Sequence, residues 1–333
     1  MPDATFYTVA DSRFFPGVVA LLNSLRLTGN GGELIVLDAG LDDAQRARLS
    51  GHARLVALPG GVTVNAFLAK PFAHRLDIDG TLVILDSDML VTASLEPVVA
   101  RAHAGRICVF PDHPTTRRRW FAEWREGFGL SSEPRRQTYV NAGFLALALG
   151  RWRDVLARWA EICERIPPGA HFSSDMAGPY WAGDQDALNA LLMSEVPADA
   201  VEILPSGEEA YWDALRSVDV DERTLSCRRN GTRVTILHYS FRPKPWERAA
   251  WIRVVDDAYV RLLPRVLFAD DVELRLDPAD VPAWVRPGRR ARATLRGLDI
   301  AHRSVSAAIA ATPAPLRSRL LGLRHALVRA VSG

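Results

Sequence analysis

Residues 82–89, Leu82-Val-Ile-Leu-Asp86-Ser-Asp-Met89, hold an apolar run that ends on two aspartates separated by a single residue. Four consecutive aliphatic residues predict a strand buried on both faces, the kind that parallel sheets contain. Runs of the same character precede it at Thr5–Ala10 (TFYTVA), Leu34–Asp38 (LIVLD) and Leu55–Leu58, and follow it at Ile107–Phe110, Phe144–Leu149 and Arg233–Leu237. Helical patterns lie between the early runs, at Pro16–Leu27, Asp42–Ser50 and roughly 66–76. Arg151–Ile166 places Trp152, Val155, Leu156, Trp159, Ile162 and Ile166 on one helical face before Pro167-Pro168 stops it. Strands alternating with helices predict an α/β fold: a mostly parallel sheet with helices on both faces.

The chain has 333 residues, enough for one large α/β domain with an appendage or for two modest domains. Charged residues at 24% and hydrophobic ones at 48% exclude disordered and fibrous classes. No run of 18 apolar residues exists to span a membrane, and the start, MPDATFYTVADSR, lacks the basic and apolar regions of a secretory leader. Three widely spaced cysteines, Cys108, Cys163 and Cys227, suit a reducing compartment, so a cytoplasmic location is expected.

Of 41 basic residues, only Lys70 and Lys244 are lysines. The net charge of +2 conceals a split. Residues 286–333 carry ten arginines against Asp299 alone, a charge of +9, which leaves −7 on residues 1–285. An acidic body with a basic tail does not suit a protein coated by nucleic acid. The tail segments 289–303 and 314–330 mix arginine with apolar residues. That composition suits peripheral contact with the inner face of an anionic membrane; it equally suits a helix packed on the acidic body.

Chemistry-bearing residues fall into four blocks. Asp86 and Asp88 end a strand, and in open α/β sheets ligands bind beyond the carboxyl ends of strands. Two carboxylates at one place repel unless a hard cation such as Mg²⁺ or Mn²⁺ lies between them, with a diphosphate completing its shell. A strand-ending Asp that merely caps a turn has the same local sequence. Tyr139-Val-Asn141-Ala-Gly143 reads as a turn that feeds a strand and presents an amide. In Gly183-Asp184-Gln185-Asp186, Asp184 reads as a helix N-cap with Leu188, Leu191 and Leu192 buried behind it. His238 ends a strand, as either a ligand or a structural histidine, and Lys244 sits between Pro243 and Pro245, suited to hold a point charge against phosphate. Residues 112–138 form a long irregular insertion with Trp120, Trp124 and Arg117–Arg119, which reads as a functional lid or binding loop, or as an exposed insertion with incidental aromatics.

Over residues 4–250 the chain resembles the retaining glycosyltransferases of the glycogenin-like and lipopolysaccharide-galactosyltransferase-like family, glycosyltransferase family 8. The resemblance rests on VADSRFFPGVVALLNSL near the N-terminus, VLDAGL at 36–41, LDSDML at 85–90, YVNAGFLAL at 139–147, GDQDALNALL at 183–192 and LHYSFRPKPW at 237–246. It implies a GT-A fold over residues 1–250, with a nucleotide-sugar half to about residue 110 and an acceptor half to 250, then an extension (251–285) and the basic tail. It also implies a UDP-sugar donor, a hydroxyl acceptor and a divalent metal, Mn²⁺ or Mg²⁺. Asp86, Asp88 and His238 match the metal ligands. Ala10, Asp11, Lys70, Ser87, Asp112, Asn141 and Lys244 match positions around the donor, and Asp184 and Gln185 match the pair beside the anomeric carbon.

The implied chemistry is hexose transfer with retention at the anomeric carbon. A same-face route, in which the departing phosphate accepts the acceptor's proton, competes with a covalent intermediate on Asp184. A phosphatase of the haloacid dehalogenase type also opens its site with an apolar strand running into Asp-x-Asp. A sugar-nucleotide-binding protein without turnover is the non-enzymatic alternative.

Overall fold

The computed structural model describes residues 4–58, 68–170, 177–314, 316–320, 322, 323 and 326. In chain order the strands are β1 (Ala4–Ala10), β2 (Leu34–Asp38), β3 (Arg54–Ala57), β4 (Thr81–Leu85), β5 (Met89–Val91), β6 (Ile107–Pro111), β7 (Val140–Ala148), β8 (Val201–Ile203), β9 (Glu209–Tyr211), β10 (Asp219–Asp221), β11 (Ser226–Arg229), β12 (Thr232–Val234) and β13 (Ile236–His238). The helices are α1 (Phe15–Leu27), α2 (Asp43–Leu49), α3 (Glu96–His103), α4 (Trp124–Gly127), α5 (Leu149–Cys163), α6 (Asp184–Ser194), α7 (Ala258–Phe268) and α8 (Arg289–Ala311). The chain divides into two compact units: Met1–Phe15, Asn30–Ser87 and Ser94–Glu208 form the first, and Pro16–Gly29, Asp88–Ala93 and Glu209–Gly333 the second.

The first unit is built on a seven-stranded sheet in the order β3-β2-β1-β4-β7-β6-β8. Every neighbouring pair is parallel except the two that β7 makes with β4 and β6. The predicted mostly parallel α/β sheet is therefore present. One face carries Tyr7, Ile35, Ile84, Val109 and Leu145 into a core shared with Trp159 of α5 and Leu188 of α6. Residues of opposite parity lie on the other face, where Phe110 meets Phe144 edge-on and α3 packs. Because β7 runs against its neighbours, its N-terminal end lies at the same sheet edge as the carboxyl ends of β1, β4 and β6. That edge carries Asp11, Asp86, Asp112 and Asn141.

Three local expectations change. Asn141-Ala-Gly143 lies inside β7 and not in a turn, because pairing with β6 extends the strand to Val140. The helix expected at about 66–76 is a 3₁₀ helix at Lys70–Arg75, opened by Pro71, while residues 66 and 67 lie outside the described residues. The single strand expected at Arg233–Leu237 splits at Thr235 into β12 and β13, which belong to different sheets.

The insertion at 112–138 is anchored in its own unit. Trp124 is fully buried and its indole donates to the Pro179 carbonyl at 2.6 Å. Arg119 pairs with Asp186, which has no side-chain exposure, at 2.9 Å. Trp120 donates to the Pro134 carbonyl and is covered by the Arg136 guanidinium 4.1 Å from its ring centre. Arg119 and Trp124 are thus committed to the interior, which corrects the alternative of an exposed insertion for these two residues.

In the second unit, β13 pairs antiparallel with β5 and parallel with β9, and β10-β11-β12 form an antiparallel meander. Buried Asn23 of α1 donates to the carbonyls of Val266 and Leu274 and accepts the Leu274 amide, tying α1 to α7 and the segment after it. The tail divides in two. Ala291 and Leu295 of α8 are buried, and Asp299 pairs with Arg216 at 2.8 Å and with Arg303 at 2.7 Å. Beyond it the helix is largely exposed, including Ile300 and Val305. Cys108, Cys163 and Cys227 are free and buried, and among the described residues no helix is long and apolar enough to cross a membrane.

Candidate active site

Each unit carries one cluster of the residues singled out from the sequence, and the chain Asp86-Ser87-Asp88 links the two. In the first unit Asp86 follows β4 directly, its amide bonded to the Gly143 carbonyl at 2.8 Å. Lys70, only 8% exposed, places its ammonium 2.8 Å from Asp86 and 2.9 Å from Asp184. It also donates to the Ala142 carbonyl at 3.3 Å. Burial disfavours that ammonium, but the two carboxylates outweigh it and raise its pKa above the ordinary lysine value. Burial also pushes the Asp184 carboxyl up to about 6, against the opposing effect of Lys70.

Asp184 is not the N-cap expected from its position. Gly183, at φ +58°, occupies that place, a conformation that suits glycine, and Asp184 is the first helical residue with its carboxylate turned to Lys70. The next residue, Gln185, donates to Asp112 at 3.0 Å and accepts the Ala142 amide at 3.0 Å. Asp112 also accepts Asn141 at 3.2 Å and the Thr116 hydroxyl at 2.6 Å. Buried Asp112 and Asn141 and half-buried Gln185, far apart in sequence, therefore form one polar network at the sheet edge. Asp11 follows β1, where its carboxylate accepts the amides of Arg13 and Phe14, and Ala10 is buried beside it, paired in register with Asp38. Ser87 is buried.

In the second unit the β5–β13 ladder sets Met89 opposite His238, and the Tyr239 amide bonds to the Asp88 carbonyl at 3.1 Å. This register brings His238 Nε2 to 3.4 Å from Asp88 Oδ1. Nδ1 of the same ring lies 3.3 Å from buried Glu209 on β9. Lys244, 4% exposed, donates to Asp88 Oδ2 at 2.5 Å and to the Tyr239 carbonyl at 2.8 Å. Burial alone would lower the His238 pKa, but Asp88 and Glu209 on either side raise it to about 10. Lys244 and His238 in turn hold the Asp88 carboxyl well below the usual carboxylate range despite its burial.

Glu209 and Asn189 were not singled out from the sequence. Asn189 of α6 clasps Val140 through both its amide (2.7 Å) and its carbonyl (2.8 Å), which holds the start of β7 beside Asn141. Its place in the 183–192 block was visible, but its partner was not. Glu209 carries no local signal, since it begins a three-residue strand that meets β13 only through parallel pairing.

No protein-family profile matches the chain, and no curated protein matches its sequence. Solved structures do resemble it. The bifunctional glycosyltransferase WbbM aligns at 14% identity over 82% of this chain and 50% of its own, with a TM-score of 0.52. The galactosyltransferase LgtC, solved with donor and acceptor sugar analogues, aligns at 20% identity over 73% of this chain and 90% of its own, with a TM-score of 0.48. The glycosyltransferase GlyE of Streptococcus pneumoniae aligns at 16% identity over 74% and 57%, with a TM-score of 0.47. The chain spans half the length of WbbM, with which it shares its α/β fold.

Proposed function

We propose that this protein is a metal-dependent retaining glycosyltransferase of family 8 that moves a hexose from a UDP-sugar to an acceptor hydroxyl. The observation that carries the proposal is the pairing of Asp88 with His238, backed by Glu209 and Lys244, with Asp86 two residues earlier in the chain. Asp86, Asp88 and His238 are a possible metal-ligand set. The donors fit Mn²⁺ or Mg²⁺: two carboxylates and an imidazole. Asp88 Oδ1 is buried 3.4 Å from His238 Nε2, as two ligand atoms of one cation would be. Bound there, a divalent cation would act as a Lewis acid on the diphosphate of the leaving UDP.

The chain's own residues divide the remaining work. Lys244 presents a compact positive charge to the phosphates. Ala10, Asp11, Ser87 and Lys70 belong to the donor-binding surface. The network of Asp112, Asn141 and Gln185 offers donors and acceptors matched to sugar hydroxyls and orients the hexose. In the reaction the bond from the anomeric carbon to the phosphate oxygen breaks and a bond to the acceptor oxygen forms on the same face. The departing phosphate takes the acceptor's proton. Asp184 would be the nucleophile of the alternative route, and its tight ion pair with Lys70 favours the same-face route.

The test is UDP release from a panel of UDP-sugars with Mn²⁺, repeated with chelator and with Asp88→Asn and His238→Ala. Turnover is expected to vanish in chelator, return with Mn²⁺, and fall by about a hundredfold or more in both variants while circular dichroism is unchanged. Full turnover in chelator would sink the metal assignment.

A further inference from the structure

A cavity lined by none of the candidate active-site residues is built wholly within the second unit. α7, the first turns of α8, the 284–288 connection and the β10–β11 turn enclose a half-open cavity of about 580 Å³, the size of a small-molecule site. Six guanidinium groups line it, from Arg223, Arg261, Arg265, Arg286, Arg292 and Arg296, against the carboxylates of Glu222 and Asp256. Arg261 pairs with Asp256, Arg292 with Glu222, and Arg265 with Asp271 outside the lining. Arg223, Arg286 and Arg296 add positive charge beyond those pairs.

The rest of the lining is apolar and includes Trp284, Phe268, Val260, Pro264 and Leu295. A surplus of planar cations beside an aromatic and aliphatic wall matches a ligand with one strongly anionic end and one apolar end. Guanidinium forks fit phosphate oxygens with two parallel hydrogen bonds, and the wall removes adjoining apolar surface from water. Trp284 also joins the cavity to the loop that holds Lys244, since its indole donates to the Pro245 carbonyl at 2.8 Å.

We propose that this cavity binds a phosphate monoester that carries an apolar substituent. The proposal stands on the cavity alone and does not require glycosyl transfer. The substituent has two possible sources, an acyl or prenyl chain of a lipid and the aromatic ring of a soluble ester.

Calorimetric titration of the full chain separates them, with dodecyl phosphate below its micellar concentration, phenyl phosphate, inorganic phosphate and dodecyl maltoside as probes. At least one of the two esters is expected to bind saturably, one per chain, and about tenfold or more tighter than inorganic phosphate. The tighter ester identifies the source, and the neutral maltoside is expected not to bind. Arg223→Gln combined with Arg296→Gln is expected to weaken ester binding about tenfold with an unchanged melting temperature, because both side chains are exposed. Val220→Glu, which sets a carboxylate at the cavity lining, is expected to do the same. The proposal is overturned if neither ester binds saturably, if inorganic phosphate or the maltoside binds as tightly as the better ester, or if both variants bind like the parent.

Discussion

Replacing Arg119 by Met removes the cation that faces Asp186. The Asp186 carboxylate accepts Arg119 at 2.9–3.2 Å, the Tyr139 hydroxyl at 2.7 Å and the Ala182 amide at 2.7 Å, with no side-chain exposure. Without the guanidinium, two neutral donors would have to hold a buried charge. Breaking a buried ion pair by removing one partner costs about 3–5 kcal/mol, and Met keeps much of the aliphatic stem, so the loss is chiefly electrostatic. Burial already raises the Asp186 carboxyl above its ordinary pKa, and removing Arg119 raises it further. A carboxyl whose folded pKa exceeds its unfolded one contributes most below the unfolded value, and that contribution is lost as pH rises through the folded value. The deficit of Arg119→Met should therefore be largest near pH 8 and shrink toward pH 5. Adding Asp186→Asn removes the stranded charge and should recover more than half of it. Urea unfolding of the parent, both single variants and the double variant at pH 5, 6 and 8 closes the cycle. An Arg119→Met protein within about 1 kcal/mol of the parent at pH 8, or a double variant no more stable than the single one, would refute the anchoring argument.

Two further outcomes are expected. Glu209→Gln should weaken Mn²⁺ binding about 10- to 100-fold, read by calorimetry or by the electron paramagnetic resonance of free Mn²⁺, because the carboxylate that orients His238 is gone. An unchanged affinity would leave Glu209 a structural residue. The proposed peripheral contact of the tail with an anionic bilayer would use Ile300 and Val305, 59% and 52% exposed on the arginine-rich α8. The full chain should sediment with anionic but not zwitterionic vesicles, and Ile300→Asp with Val305→Asp should abolish it. Equal sedimentation of parent and variant would exclude these two residues.

Much of the first unit was legible because its signals are local. A period of two or an unbroken apolar run marks strands, and a 3.6-residue period marks α5 with Trp152, Leu156, Trp159 and Ile162 inward. Asp86 and His238 were legible as polar residues that end apolar strands. The errors lie where a distant partner decides. Asn141 looked like part of a turn because the two strands that flank β7 are invisible in the nearby sequence. Asp184 looked like a cap because Lys70 lies 114 residues earlier in the chain. Trp124 and Arg119 looked like exposed recognition residues because Pro179 and Asp186 lie more than 50 residues away.

The two lysines show where the division falls. Their rarity among 39 arginines was plain from composition, and so was the proline-bracketed position of Lys244. Composition could not assign their partners. Strand order places Lys70 between Asp86 and Asp184, and the β5–β13 register places Lys244 against Asp88 across 156 residues. Local sequence sets backbone preference and which face of an element is apolar. Which charges meet in the interior depends on how the strands pair, and that is settled only when the whole sheet assembles.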